Sequence, residues 1–286
     1  MREDMTESYL RGLENDGLYT PSIKSHSVQK IKLHNYYTSL FSRSMKDLWP
    51  QHAYIGLYSG AGRAVIEDSG EIVETTATSA VRLEPPFTHY IFVDNDPNSI
   101  AALQQRIDAI PGEYQTTFIQ KDVRTATGEI IRTMPNFSRE KGLLSFCFVD
   151  PFAADLDFQV IKELGSRYRM DFLILLMLGR DIRTNFRRYL EDPEDTRIAA
   201  LIDDPNWRED WKKDGRSLIR FLLQKFDDAM RRIGYIEAEP SDAEPITATG
   251  LGVYLYSLVL YSKQPLGKKF WNDTRQGVNP QISMDF

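Results

Sequence analysis

The run Val149-Asp150-Pro151-Phe152 carries the most chemistry in the chain. A carboxylate, a proline and an aromatic ring follow one another at the end of a short apolar stretch, Leu143 to Val149 (LLSFCFV). A carboxylate accepts from N–H groups, while proline fixes the backbone and removes a donor, which leaves carbonyls free to meet something else. The triplet suits gripping an exocyclic amine. Asp150 and the Pro151 carbonyl would accept from the nitrogen, and Phe152 would stack on the ring that bears it. The plainer reading is a turn that ends a strand, because Asp-Pro is common in turns.

A second constellation lies upstream. The loop Tyr58-Ser59-Gly60-Ala61-Gly62 follows an apolar run, and glycines there let backbone approach a ligand closely. A single G-x-G is too short for the dinucleotide fingerprint and lacks the G-K-[ST] of a phosphate-binding loop. Asp94, with Asn95, ends the next apolar run, where an acid can hold the two hydroxyls of a ribose. Asp122 ends the third, where an adenine edge is read. Each acid alone reads as a helix cap. Three acids at successive strand ends behind a glycine loop read as a cofactor cradle. A nicotinamide or flavin dinucleotide and S-adenosylmethionine both fit it, and the glycine spacing favours the second.

A third group is basic. Arg180, Arg183, Arg187 and Arg188 follow the fifth apolar run, and Lys212, Lys213, Arg216 and Arg220 come later. They could steer phosphates. The competing reading is a solvated helix face paired with Glu191, Glu194, Asp195 and Glu209. Trp207, Trp211 and Trp271 could stack bases, though tryptophans at helical spacing more often belong to a core. His26, His34, His52 and His89 show no ligand spacing, so no metal site is expected.

These residues need elements to hold them at strand ends. Helical spacing over Ser27–Leu48 stops at Trp49-Pro50. Strands are expected at Ala53–Tyr58, His89–Val93, Thr116–Ile119, Leu143–Val149 and Asp171–Met177. Helices are expected at Ile72–Leu83, Pro97–Ile110, Val123–Met134 and Phe158–Tyr168. This alternation predicts an α/β fold with a doubly wound, mostly parallel, seven-stranded sheet. Residues 179–233 read as a helical insertion with a long return helix, Arg216–Ile233. A sixth strand falls at Ile236–Glu239 or Pro245–Thr249, and a strong seventh at Val253–Tyr261. The organisation expected is an arm over 1–26, loosely held through residue 24, a cofactor-binding core over 27–178, the insertion, and final strands and tail over 234–286.

Composition narrows the function classes. The chain has 286 residues, of which 42% are hydrophobic and 27% charged, enough for one large domain. Its net charge of −6 argues against a protein that coats duplex nucleic acid. No apolar run approaches a bilayer's thickness, and the acidic, polar start is unlike a targeting peptide. The single cysteine, Cys147, lies in an apolar run without a partner, which fits a buried side chain and the cytoplasm.

Several of these segments resemble the three-Cys-motif partner proteins (TcmP), methyltransferase-like proteins of bacteria and phages. Lys30-Ile31-Lys32-Leu33-His34-Asn35-Tyr36-Tyr37 is similar to the family's early lysine-containing helix. Gly56-Leu57-Tyr58-Ser59-Gly60-Ala61-Gly62-Arg63 resembles its D-x-F-A-G-x-G-R pattern. Asp94-Asn95-Asp96 and Val149-Asp150-Pro151-Phe152 resemble its acid after the second strand and its D-P-F. Pro265-Leu266-Gly267 with Phe270-Trp271-Asn272-Asp273 is similar to its C-terminal signature. The likeness spans roughly residues 25 to 275. Gly56 and Ser59 depart from it, standing where many members have an acid and an alanine. The resemblance implies a class I methyltransferase-like fold, S-adenosylmethionine as cofactor, and a three-cysteine-motif protein as partner. The leading expectation is methyl transfer to an exocyclic amine of a nucleic-acid base in a phage-defence or mobile-element module. The base would be single-stranded, looped or flipped out. A methyltransferase-fold partner or scaffold subunit is the alternative. A magnesium nuclease using Asp94, Asp96 and Asp150 stands third.

Overall fold

The structure, a computed structural model, describes residues 12–138, 142–248 and 252–278. The chain begins with a two-residue strand β1 (Ser22–Ile23), helix α1 (Ser27–Met45) and strand β2 (Gln51–Leu57). A hairpin of β3 (Arg63–Ile66) and β4 (Ile72–Glu74) comes next, then the short helix α2 (Thr76–Val81). Alternation follows: β5 (His89–Asp94), α3 (Pro97–Asp108), β6 (Gln115–Gln120), α4 (Val123–Thr133), β7 (Leu143–Val149), α5 (Phe158–Arg167) and β8 (Met170–Leu176). Four helices fill the next stretch: α6 (Arg180–Glu191), α7 (Arg197–Ile202), α8 (Trp207–Lys213) and α9 (Leu218–Arg232). Strands β9 (Glu244–Thr247) and β10 (Tyr254–Tyr261) and helix α10 (Pro265–Val278) end the described chain.

Seven strands form one sheet in the order β6-β5-β2-β7-β8-β10-β9. Only β10 is reversed, antiparallel to both β8 and β9. Numbered among themselves along the chain, these strands run 3-2-1-4-5-7-6, with the reversed strand slotted between the fifth and sixth. That is the class I methyltransferase fold. The chain winds outward from β2 through β5 to β6, then restarts at β7 beside β2. The switch point therefore falls between β2 and β7, and ligands of open α/β sheets bind outside the strand ends there.

The two faces of the sheet differ in chemistry. One is aliphatic: Ile55, Leu57, Ile91, Val93, Val149 and Ile174 pack against α4, α5 and α9. The other is aromatic: Tyr54, Phe92, Phe146 and Phe148 lie beneath Tyr37 and Phe41 of α1 and Trp271 of α10. Period-two alternation within strands buried on both sides sends successive residues to opposite layers. Cys147 is wholly buried in the aliphatic layer. Trp207 and Trp271 are core residues, and Trp211 packs half-buried against Phe186 and Phe221, so none of the three presents a free stacking face.

Two expectations change, and one segment without an expected element gains one. The helix expected at Ile72–Leu83 is a strand followed by one short helix. Ile72–Glu74 pairs with Arg63–Val65 across a turn in which Gly70 takes φ +71°. Residues 12–24 are not loosely held: Ser22–Ile23 pairs with β3, and Asp16 accepts from Nε and Nη2 of buried Arg106, each at 2.8 Å. The start of the arm, residues 1–11, lies outside the described residues. The tail, to which the sequence assigned no element, is α10, anchored by Trp271, whose Nε1 donates to the Asp242 carbonyl at 2.7 Å. Among the described residues, no helix is long and apolar enough to cross a membrane.

Candidate active site at the switch point

Strand β2 ends at Leu57, flanked in register by Val93 of β5 and Val149 of β7. The residues that follow these three therefore share one edge. Tyr58 turns the chain with φ +61°, a left-handed backbone that costs a non-glycine residue roughly 1–2 kcal/mol. The turn is fastened from several sides. Ser59 N–H donates to the Val93 carbonyl at 3.0 Å. Ser59 Oγ donates to the Gly56 carbonyl at 2.8 Å and accepts from Val93 N–H at 3.0 Å. Gly60 N–H donates to Asp94 Oδ2 at 2.8 Å, and Asp96 N–H to Asp94 Oδ1 at 3.0 Å.

The two glycines of the loop do different work. Both have positive φ, +64° at Gly60 and +83° at Gly62. A side chain at Gly62 would stand 2.7 Å from Thr78 Cγ2 and 2.8 Å from Leu103 Cδ1, so this glycine serves packing. A Cβ at Gly60 would meet nothing within 4 Å. Gly60 is thus the point where backbone faces open space. Arg106 braces the loop from behind, with Nη1 donating to the Ala61 carbonyl at 2.6 Å. Its other donors hold Asp16, Thr20 and the Tyr19 carbonyl, and the guanidinium draws the Asp16 carboxyl down to about 2.

The remaining expected cofactor residues spread along the same edge. Asp94 is buried, whereas Asn95 is exposed. Asp96 caps α3 by accepting from Asn98 and Ser99 N–H. Asp122 caps α4 and binds the Arg124 guanidinium, which lowers its carboxyl. Burial raises the Tyr58 hydroxyl well above the ordinary range, and the nearby carboxylates of Asp155 and Asp122 raise it further.

Beyond β7, Asp150 N–H donates to the Leu57 carbonyl at 3.3 Å, which ties the Asp-Pro-Phe turn to the glycine-loop strand. The Asp150 carboxylate is paired with Lys30 Nζ at 2.8 and 2.6 Å, both side chains being mostly buried. Lys30 comes from α1, which His34 locks over the sheet one turn later. His34 Nε2 meets the Tyr54 hydroxyl at 2.9 Å, Nδ1 meets Asn35 Oδ1 at 2.9 Å, and the ring packs edge-on against Phe148. Burial pushes this imidazole down to about 4, so it is neutral at pH 7. Pro151 is buried, and Phe152 is 81% exposed, an aromatic face turned to solvent beside a fixed acid.

Lys30 had no assigned role in the sequence reading. Its signal was present, a lysine on the helix whose pattern is similar to the early TcmP helix. A contact across 120 residues is not visible in spacing. Of the arginines, Arg180 starts α6 beyond the end of β8, Arg183 is exposed, and Arg187 is bound to Glu191 at 2.8 Å. Arg187 therefore sits on a solvated helix face, paired as the plainer reading had it.

No family model matches the chain, and no curated protein matches it. Several solved structures resemble it at low identity. A DUF519 protein from Legionella pneumophila str. Philadelphia 1 is 10% identical, covering 88% of this chain and 93% of its own, with a TM-score of 0.47. A DUF574 protein from Streptomyces avermitilis MA-4680 is 14% identical over 82% of this chain and 83% of its own, with a TM-score of 0.46. Trm1 from Pyrococcus horikoshii, solved with S-adenosyl-L-methionine, is 10% identical over 93% of this chain and 62% of its own, with a TM-score of 0.39. The strand order, rather than these likenesses, defines the chain as a methyltransferase-fold protein.

Proposed function

We propose that this chain is an S-adenosylmethionine-dependent methyltransferase acting on an exocyclic amine of a nucleic-acid base held outside a duplex. One observation carries the reading: the glycine loop, Asp94 and Asp150-Pro151-Phe152 share one edge at the switch point of a methyltransferase-fold sheet. Four of the segments that resemble TcmP proteins, the Lys30 helix, the glycine loop, Asp94-Asn95-Asp96 and Asp150-Pro151-Phe152, come together at that edge, which supports kinship with that family and its three-cysteine partner. The fifth, over residues 265–273, begins α10 at the other end of the sheet, where Gly267 lies against Asp171.

The residues fit an adenosyl ligand at three points. Open space stands over Gly60. Asp94 gives one lone pair of each oxygen to backbone and keeps others for a ribose. The Lys30 ammonium lies beside Asp150, where a carboxylate of the ligand would be welcome. At position 56 the fit departs from the family pattern. A side chain there would stand 3.0 Å from Ser59 Oγ, so glycine and serine fill together the space that an acid and an alanine would share.

When bound, the cofactor supplies an electrophilic methyl group on a sulfonium. Asp150 and the Pro151 carbonyl would accept the N–H bonds of the amine, which localises its lone pair for in-line attack. As the C–N bond forms and the C–S bond breaks, the proton lost by the nitrogen would pass to the Asp150 carboxylate and on to water. Phe152 stacks on the base and fixes its plane, so orientation supplies most of the rate. Lys30 holds the Asp150 carboxylate in place.

A scaffold reading draws on the same pair: the Lys30 ammonium takes one lone pair of each Asp150 oxygen and neutralises the carboxylate, which weakens its grip on an amine. Nothing favours the nuclease. Asp94 faces backbone donors, Asp96 caps a helix, and Asp150 faces Lys30, so the three acids do not converge. Transfer of radiolabelled methyl from S-adenosylmethionine to single-stranded RNA and DNA separates the first two readings. Label in N-methylated base that disappears in Asp150→Asn supports the enzyme. Cofactor binding without transfer to either polymer, in wild type and Asp150→Asn alike, supports the scaffold.

A further inference from the structure

A cavity of about 400 Å³ lies away from this edge, between α9, the segment 238–243 and β10, on the aliphatic face of the sheet. Its volume is within the range of small-ligand sites, roughly 300–1,000 Å³. One wall is a single stripe of α9: Arg220, Leu223, Gln224 and Asp227, at the i, i+3, i+4, i+7 spacing of one helix face. The facing wall includes Val259 and Tyr261 of β10. Arg216, just before α9, stands at the same end as Arg220, and both arginines are exposed. Arg216 bonds Asp214 through Nε and Nη2, which leaves Nη1 for a ligand, and Glu239 is a further acid of the lining.

Asp227 is the unusual member. It is 4% exposed and lines the cavity. Its Oδ1 accepts from Ala238 N–H at 2.8 Å, and its Oδ2 has no hydrogen-bond partner. A buried carboxylate oxygen without a donor is costly, and native structures hold few of them. Burial raises this carboxyl to about 6, so at pH 7 it is mostly an anion that accepts hydrogen bonds. Nothing in the methyl-transfer reading uses it.

We propose that this groove is a second ligand site, for a nucleotide that presents an N–H-bearing base edge to Asp227 and its phosphate to Arg216 and Arg220. Length decides the class of ligand. Arg220 and Asp227 are seven residues apart on one helix, about 10 Å along its axis. Side chains on a helix lean toward its N-terminus, which carries the arginine further from the acid. An α-amino acid, with its charges on adjacent atoms, is too short to bridge them. A base and a phosphate separated by a ribose have the required reach. Leu223 and Val259 give the base apolar walls. The site is independent of the function proposed for the switch-point edge and stands if that reading fails.

Calorimetric titration of the full chain with GMP, AMP, CMP and UMP at pH 7.5 tests it, with ribose 5-phosphate and guanosine as comparators. The expected result is binding of at least one nucleotide, weakened tenfold or more in Asp227→Asn and at least fivefold in Arg220→Ala. Binding should also weaken as pH falls below 6 and Asp227 takes up a proton. Asparagine keeps an oxygen for Ala238 N–H. Should that variant not fold, the exposed Arg216→Ala and Arg220→Ala carry the test. Absence of binding by all four nucleotides at millimolar concentration overturns the proposal. So does binding that Asp227→Asn and Arg220→Ala leave unchanged, or binding abolished by Asp150→Asn, which would put the ligand at the other edge.

Discussion

The glycine-loop end of the active edge and the Asp150 end are one strand apart and built in opposite ways. At the first, nearly every polar atom is already engaged within the chain: Asp94 binds two backbone N–H groups, Ser59 staples the loop to β5, and Arg106 braces it from behind. At the second, one lysine pairs with the acid and an aromatic ring stands in solvent. A preformed cradle suits a cofactor that is the same in every turnover. An acid held by one lysine side chain, next to a bare ring, suits an acceptor that must arrive, be gripped and leave. Fixed geometry is concentrated where the ligand never varies.

Four perturbations break or sharpen that contrast. The largest effect falls on the helix that serves the Asp150 end. His34 has its proton affinity lowered in the folded state, to about 4 from an ordinary 6.5. As pH falls through 6.5 the unfolded chain binds the proton first, so stability declines until about pH 4 and then levels. The loss amounts to about 3 kcal/mol, at roughly 1.4 kcal/mol per pH unit. Denaturant midpoints from pH 7.5 to 4 should show this slope, and His34→Gln should lose it. A slope unchanged in the variant would show that His34 is not the group responsible.

Next comes Asp94→Ala, which strands two backbone N–H groups. Both donors are half-buried, so each falls toward the low end of about 1–3 kcal/mol, and the fold should lose roughly 2–3 kcal/mol in chemical denaturation. A loss under about 0.5 kcal/mol, the size of an ordinary surface change, would mean that the loop does not depend on this acid.

Lys30→Met should cost less, about 1–2 kcal/mol, because its pair with Asp150 is only partly shielded from water. Its effect on methyl transfer is the sharper readout. A positioning lysine predicts a fall of tenfold or more in kcat with little change in KM for the acceptor. A rise in rate would identify Lys30 as a lock on Asp150 and shift weight to the scaffold reading.

Phe152→Ala should leave stability within about 0.5 kcal/mol, since the ring is exposed. Acceptor binding should weaken by roughly 1–3 kcal/mol, the worth of one base stacked on one ring. Cofactor affinity should not move. A variant that weakens cofactor and acceptor equally would erase the distinction between the two ends.

Much of the sheet was legible in the sequence, because strands buried on both faces read as apolar runs. Leu143–Val149 was expected over the residues it occupies, and β5, β6 and β8 within a residue or so. Partners distant in the chain were not legible. The hairpin Arg63–Glu74 has strands of four and three residues, too short to establish a period, and was absorbed into the helix that follows. Helix α10 carries Gly267, Asn272 and Asp273, poor helix formers, and is held by Trp271 beneath α1 rather than by propensity. Acids and glycines at strand ends marked the edge itself. Their division of labour was hidden: Gly62 packs while Gly60 opens, and Ser59 fills the space above Gly56. Those differences depend on Thr78, Leu103 and Phe92, neighbours that only the folded chain supplies.

The central claim is that the Gly60–Asp94 cradle takes an adenosyl sulfonium. Calorimetric titration of S-adenosylmethionine into the full chain tests it most directly. The account predicts one molecule bound per chain with a micromolar Kd, at least tenfold weaker in Asp94→Asn and unchanged in Phe152→Ala. No heat and no rise in melting temperature at millimolar S-adenosylmethionine, from a chain whose circular dichroism shows it folded, would contradict it.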